Sequence, residues 1–186
     1  MSILKAAIER ISQKDHLIVA VDGRCGSGKT YQTNLLAEET ACRVIRMDDF
    51  YLPMDQRRPD WQTFPAGNID IDRFLREILI PLRDGTLSSY RPYSCKTGEY
   101  GDEIILWGAP LTVIEGSYCM YPSLAPFYDC KIFLTCSQKT QRRRLQAREG
   151  ERFGVFLERW IPMEERYFAH FSVPSSADVV LATDDE

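Results

Sequence analysis

The chain has 186 residues and a formal net charge of −4, the size of one domain that can bury a full core without a disulfide or metal staple. Its hydrophobic fraction of 44% and charged fraction of 27% exclude wholesale disorder. The acidic balance argues against holding nucleic acid or anionic lipid by bulk charge, and the longest apolar runs, 17–21 and 179–182, are far too short to cross a membrane.

Met1 to Lys5 contain no basic region followed by an apolar stretch, so no secretion signal is read there. The cysteines at 25, 42, 95, 119, 130 and 136 form no C-x-x-C pair, and the two histidines are far apart. Reduced thiols in a cytoplasmic protein, without a structural zinc, are therefore expected.

In chain order, Ser2 can cap a helix over 3–12 with Leu4, Ala7, Ile8 and Ile11 on one face. A buried strand follows at 16–21, then a glycine-rich segment and a helix through Leu35, Leu36 and Ala37. A second strand at 43–46 runs into Met47-Asp48-Asp49-Phe50-Tyr51. The segment 53–68, rich in Pro, Asp, Arg and Gly, reads as a long loop, and so does 88–100. Between them Asp70 or Asp72 opens a helix through Phe74, Leu75, Ile78 and Leu79, which Pro81 should end. Further strands are predicted at 111–114, 131–134 and 179–181. Ser137 begins a basic helix, and 153–171 holds another with Phe156, Trp160, Tyr167 and Phe168. This alternation predicts one α/β domain, a five-stranded parallel sheet with helices on both faces. The strand ends carrying Lys29 and Asp48 should be neighbours.

One stretch carries most of the chemistry. Gly23-Arg24-Cys25-Gly26-Ser27-Gly28-Lys29-Thr30 matches G-x-x-x-x-G-K-[ST] between a strand and a helix, the context such a phosphate loop requires. Glycines let the backbone approach phosphates, and the N–H groups from Cys25 to Tyr31, at a helix N-terminus, make a concave anion site. Lys29 should face solvent there and reach the β- and γ-phosphates of ATP, while the Thr30 hydroxyl ligates Mg²⁺.

The two acids after the second strand lie on the rim where parallel α/β sheets bind ligands. Here the chain resembles the uridine kinase and phosphoribulokinase-like group of P-loop kinases, whose second strand ends in D-[SD]-[FY]-Y. That resemblance implies a P-loop kinase fold with a lid. It implies that Asp48 accepts the acceptor's proton and Tyr51 lines the acceptor pocket. Thr112-Val113-Ile114-Glu115-Gly116 is similar to the family's V-I-x-E-G, which sets Glu115 with Thr30 and Asp48 beside metal and phosphates. Asn68-Ile69-Asp70 is similar to N-[FW]-D, so Asp70 either holds acceptor hydroxyls or caps a helix. Arg91-Pro92-Tyr93 resembles P-x-Y-D, whose aromatics pack on the nucleobase. Ser94 stands here in place of the Asp, and Cys95 where an aromatic is common.

The helix Arg142-Arg143-Arg144-Leu145-Gln146-Ala147-Arg148-Glu149 resembles the lid pattern R-x-x-x-R-[DE]. Positions 144 and 148 share a helix face, so both guanidiniums can address one phosphate chain. The lid spans about 144–154; within it Arg152 can reach substrate, flanked by Gly150 and Gly154 as hinges.

The reading is an ATP- and Mg²⁺-dependent kinase of a small-molecule hydroxyl, a pyrimidine nucleoside first. Tyr51, Phe64, Tyr90 and Tyr93 would hold the base between acceptor loops 51–68 and 88–101. Kinases of another small alcohol or of a nucleoside monophosphate remain alternatives. The latter would use Arg57, Arg58, Arg73 and Arg91 to hold the acceptor's phosphate. A non-catalytic ATP-binding module is a further alternative, whereas a GTP switch lacks its N-K-x-D motif. A homo-oligomer is compatible with all of these.

Overall fold

The computed structural model describes residues 1–10, 16–86, 88–106 and 108–184. Helix α1 (Ile3–Glu9) starts at Ser2, whose hydroxyl accepts the Leu4 N–H. The two final positions predicted for it, with Ile11, lie outside the described residues.

The strands β1 (Leu17–Gly23), β2 (Cys42–Arg46), β7 (Leu111–Glu115), β8 (Cys130–Thr135) and β9 (Val179–Ala182) form one parallel sheet in the order β2-β7-β1-β8-β9. Helix α2 (Lys29–Glu39) connects β1 to β2. The expected adjacency of β1 and β2 is wrong: β7 lies between them, paired to Ala20 and to Ile45 through the same residue, Ile114. Burial explains the order. Central β1 is buried throughout, whereas β2 has one buried residue and carries Arg43 and Arg46, which an edge tolerates.

Alternate residues of β1 enter different cores, as strand geometry requires. Val19 and Val21 pack with Leu4 and Ile8 of α1 and Leu36 of α2. Ile18 and Ala20 face the larger core with Phe74, Ile78, Tyr167 and Phe168.

Pro81, expected to end a helix, does not. Helix α3 (Ile71–Phe74) continues through a π-turn (Leu75–Leu79) into α4 (Ile80–Asp84), and Pro81 sits inside the run. The wide turn relieves the ring's clash with the carbonyl four residues back. That carbonyl, on Glu77, is taken by the Ser88 hydroxyl instead. The same device recurs where α6 (Phe153–Val155) passes through a π-turn (Phe156–Trp160) into α7 (Ile161–His170), with Pro162 in its first turn. Helix α5 (Gln138–Glu149) precedes it, capped by Ser137 accepting the Thr140 N–H, and α8 (Val173–Ser176) leads into β9.

The predicted loop at 88–100 is instead two small antiparallel pairs. Strand β3 (Ser88–Tyr90) joins β6 (Ile104–Leu106), and β4 (Tyr93–Ser94) joins β5 (Glu99–Tyr100). Among the described residues no helix is long and apolar enough to cross a membrane.

Candidate active site

The glycine-rich loop turns sharply out of β1. Gly23 has φ +143°, and a Cβ there would lie 2.0 Å from the Leu134 carbonyl oxygen, so no other residue fits. Gly28, at φ +84°, turns the chain into α2, whose N-terminus completes the anion site. Helix α5 supports the loop from behind. Gln141 Nε2 donates to the Cys25 carbonyl at 2.9 Å, and Arg144 donates to the Gly26 carbonyl at 3.3 Å.

Lys29 departs from expectation. It is buried rather than solvent-facing, and its Nζ donates to the carbonyls of Gly23 (2.6 Å) and Arg24 (3.1 Å). A flexible stem that folds back onto loop carbonyls satisfies the ammonium without water. Burial alone would pull its pKa down, but the carboxylates of Glu164, Glu115 and Asp22 outweigh that and hold it above the usual lysine value. It is a stable cation.

Glu115 ends β7 between the loop and the acidic turn. Its Oε1 accepts the Thr30 hydroxyl at 3.1 Å and its Oε2 accepts Arg46 at 2.8 Å. Burial pushes its carboxyl up despite the nearby Lys29 ammonium. Asp48 and Asp49 lie on a 3₁₀ turn (Met47–Phe50) that aims them apart. Asp48 accepts the Tyr51 hydroxyl at 3.1 Å and lines the main cleft. Asp49 accepts the Tyr90 hydroxyl at 3.0 Å and does not line the cleft; burial raises its pKa.

That cleft has a volume of about 860 Å³. It gathers Cys25, Gly26, Gly28, Lys29, Thr30 and Tyr31 on one side and Asp48, Tyr51, Tyr93 and Glu115 on another, with Arg144, Arg148 and Arg152 from the segment expected to form a lid. Gly23, Ser27 and Asp70, predicted to bind phosphate or acceptor, fall outside its lining. Gly23 contributes its carbonyl to Lys29, and Ser27 is wholly buried beneath the loop. Asp70 caps α3, accepting the Arg73 N–H at 3.0 Å, so the helix-cap alternative is the one the structure takes. The two arginines expected to address one phosphate chain also differ. Arg148 is exposed, over the Phe156 ring at 5.5 Å, whereas Arg144 is tied to Thr183 and the Gly26 carbonyl. Gly150 has a positive φ and Gly154 does not.

The four aromatics expected to form a slot do not all line the cleft. Tyr51 and Tyr93 line the cleft, but Tyr90 stacks on Phe50 in the core and Phe64 lies under Arg58. Trp61 and Trp160, with ring centroids 6.2 Å apart, also line the cleft. Glu164 was also missed. The signal was an acid on the apolar stripe of α7, beside Met163, Tyr167 and Phe168.

The donor set suits a magnesium nucleotide. Thr30 and Glu115 present hard oxygens within 3.1 Å of each other at the mouth of the loop, with the Asp48 charge close enough to raise Glu115. No cluster of three or more His, Cys, Asp or Glu able to hold a metal occurs among the described residues. Magnesium needs none, because it takes most of its shell from phosphates and water.

No family model matches the sequence, and no curated protein matches it with significance. Solved structures do. A possible uridine kinase from Bacillus stearothermophilus superposes with a TM-score of 0.74 at 21% identity, covering 96% of this chain and 95% of that one. A candidate fructose transport system kinase from Silicibacter sp. TM1040 superposes with a TM-score of 0.68 at 20% identity, covering 95% and 96%. Together with the strand order and the loop after central β1, these likenesses give this chain the P-loop kinase fold.

Proposed function

We propose that this protein is an ATP- and Mg²⁺-dependent kinase that phosphorylates a hydroxyl of a small molecule, a pyrimidine nucleoside first. One observation carries the reading. Lys29, the Thr30–Glu115 pair and Asp48 open onto a single cleft whose other wall is aromatic. Phosphoryl transfer asks a protein mainly for positioning and charge stabilisation, and this set supplies both. The loop amides and Lys29 bind and orient the phosphate chain. Thr30 and Glu115 would hold the magnesium, which neutralises charge on the transferring group. Asp48, oriented by the Tyr51 hydroxyl, takes the acceptor's O–H proton as that oxygen bonds to phosphorus and the bond to ADP breaks. Arg148, on the exposed face of α5, closes over the phosphates and helps exclude water.

The fate of four arginines favours an unphosphorylated acceptor. Arg58 pairs with Asp60, Arg73 with Glu77, and Arg91 with the carbonyls of Tyr100 and Gly101. Only Arg57 of the four lines the cleft. The test is ADP release from Mg-ATP with uridine, cytidine, their monophosphates, fructose, pantothenate and nicotinamide riboside offered separately. Stimulation by a nucleoside supports the reading. Stimulation only by a monophosphate or a non-nucleoside removes the nucleoside assignment and keeps the kinase. Binding of ATP without transfer to any acceptor favours a regulatory module.

A further inference from the structure

The phosphate loop already holds an anion of its own. Glu164, buried on α7, accepts the Cys25 backbone N–H at 2.8 Å through Oε2 and the Ser117 hydroxyl at 2.5 Å through Oε1. Ser117 also lies 3.4 Å from Lys29 Nζ, so the carboxylate, the hydroxyl and the ammonium form one chain. Glu164 lines the same cleft as Gly26, Gly28 and Thr30. A carboxylate oxygen on a loop N–H holds a donor that a phosphate oxygen would use, with the loop lysine one hydroxyl away.

We propose that Glu164 is a built-in occupant of the phosphate cradle, which a nucleotide's phosphate chain must displace to bind fully. The proposal rests on reading the loop as a phosphate site. Two anions cannot share the one Cys25 N–H, so a phosphate that takes it expels the carboxylate. Through Glu164 the phosphate loop holds α7, so releasing the carboxylate frees that helix from the loop. Neighbouring residues of that helix carry the signal outward. Glu165 pairs with Arg24, the Tyr167 hydroxyl donates to Asp22 at 2.9 Å, and Arg166 donates to the Gln62 carbonyl at 2.6 Å. The π-turn before α7 carries Trp160, which faces Trp61 across the acceptor side. Nucleotide arrival thus reshapes the acceptor wall through one helix.

A merely structural Glu164 and a displaceable one predict opposite signs. Calorimetric titration with Mg-ATP, and separately with adenosine, would compare the wild-type chain with Glu164→Ala and Glu164→Gln. Glu164→Gln keeps the shape and an acceptor for Cys25, so it reports even if the Ala variant folds poorly. The expected result is Mg-ATP binding tightened about tenfold in Ala and less in Gln, as one charge-assisted contact and its repulsion are removed. Adenosine, lacking phosphate, should bind all three alike. Unchanged or weaker Mg-ATP binding in both variants would overturn the proposal, as would equal tightening of adenosine. If wild type bound Mg-ATP no better than Lys29→Met, the cradle reading would fall first and this proposal with it.

Discussion

Thr30 and Glu115 stand 85 residues apart in the chain and meet at 3.1 Å, hydroxyl to carboxylate, at the C-terminal edge of the sheet. The contact exists because β7 is inserted between β1 and β2, which sets Glu115 between the phosphate loop and the turn that carries Asp48. Strand order therefore builds the proposed metal side of the cleft. Glu115→Gln should leave the fold intact and raise the Mg²⁺ concentration needed for half-maximal turnover. A magnesium titration of the two proteins checks this, and an unchanged midpoint would remove Glu115 from the metal site.

Lys29 lies buried among carbonyls and three carboxylates, so its loss should cost stability as well as activity. Lys29→Met retains the stem and removes the charge that compensates Glu164, Glu115 and Asp22. We expect loss of transfer together with about 1–3 kcal/mol of unfolding free energy. Urea unfolding and turnover measured on one preparation test both halves.

How much of this was legible in the sequence follows from how local each feature is. The phosphate loop is read from eight consecutive residues because backbone and chemistry coincide there. Glu115 was readable from the strand end that holds it, but its place in the sheet was not. Nothing within the Val113-Ile114 run says that both its edges are paired, and so the β1–β2 adjacency was misjudged. Pro81 misled because the π-turn that accommodates it is completed by Ser88, beyond the helix. Glu164 reaches Cys25 across 139 positions, a pairing no local pattern could announce.

Asp48 and Asp49 are adjacent in sequence and divergent in space, which separates their variants. Asp48→Asn should lower kcat by roughly 10²–10⁴-fold with Mg-ATP affinity unchanged. Asp49→Asn should lose about 1 kcal/mol of stability through its Tyr90 contact and keep most of its rate. Steady-state kinetics on both would reverse the assignment if the larger loss fell on Asp49.

Asp22 gives a pH signature. It is fully buried beneath the loop, and burial raises its pKa to about 6 although Gly23, Met120 and Tyr167 all donate to it. Between about pH 4 and pH 6 the native state binds this proton more tightly than the unfolded chain does, so this group's contribution to stability falls as pH rises. The wild type should therefore gain stability relative to Asp22→Asn as pH falls from 6.5 to 4, by up to about 3 kcal/mol. Urea titrations of both proteins at the two ends of that window measure the difference. A difference that shrank toward acid would mean the donors outweigh burial.

Arg144 and Arg148 share a helix but make different contacts. Arg148 is exposed at the cleft mouth, so Arg148→Ala should slow transfer by about 10³-fold with stability unchanged. Arg144 ties the Gly26 carbonyl to Thr183 after β9, so Arg144→Ala should lower the melting temperature as well as the rate. Equal melting temperatures for the two variants would mean Arg144 does not brace the loop.

The acceptor wall gives the last prediction. Trp61 is mostly buried, with the Arg57 guanidinium 4.7 Å from its ring centroid and Trp160 at 6.2 Å, and it lines the cleft with Tyr51 and Tyr93. A flat neutral base has faces rather than charges to offer, and stacking on an aromatic ring is worth about 1–3 kcal/mol. Trp61→Ala removes one such face and leaves the phosphate loop untouched. It should raise the acceptor KM roughly 5- to 150-fold, the equivalent of that energy, while the KM for Mg-ATP stays within about twofold. Trp61→Phe, which keeps a ring, should restore most of the acceptor affinity. Phe64→Ala is the control, because Phe64 lies under Arg58 away from the cleft. Measured with the acceptor that stimulates ADP release, equal effects at positions 61 and 64 would mean that both act by bracing the loop, and the aromatic slot would be abandoned.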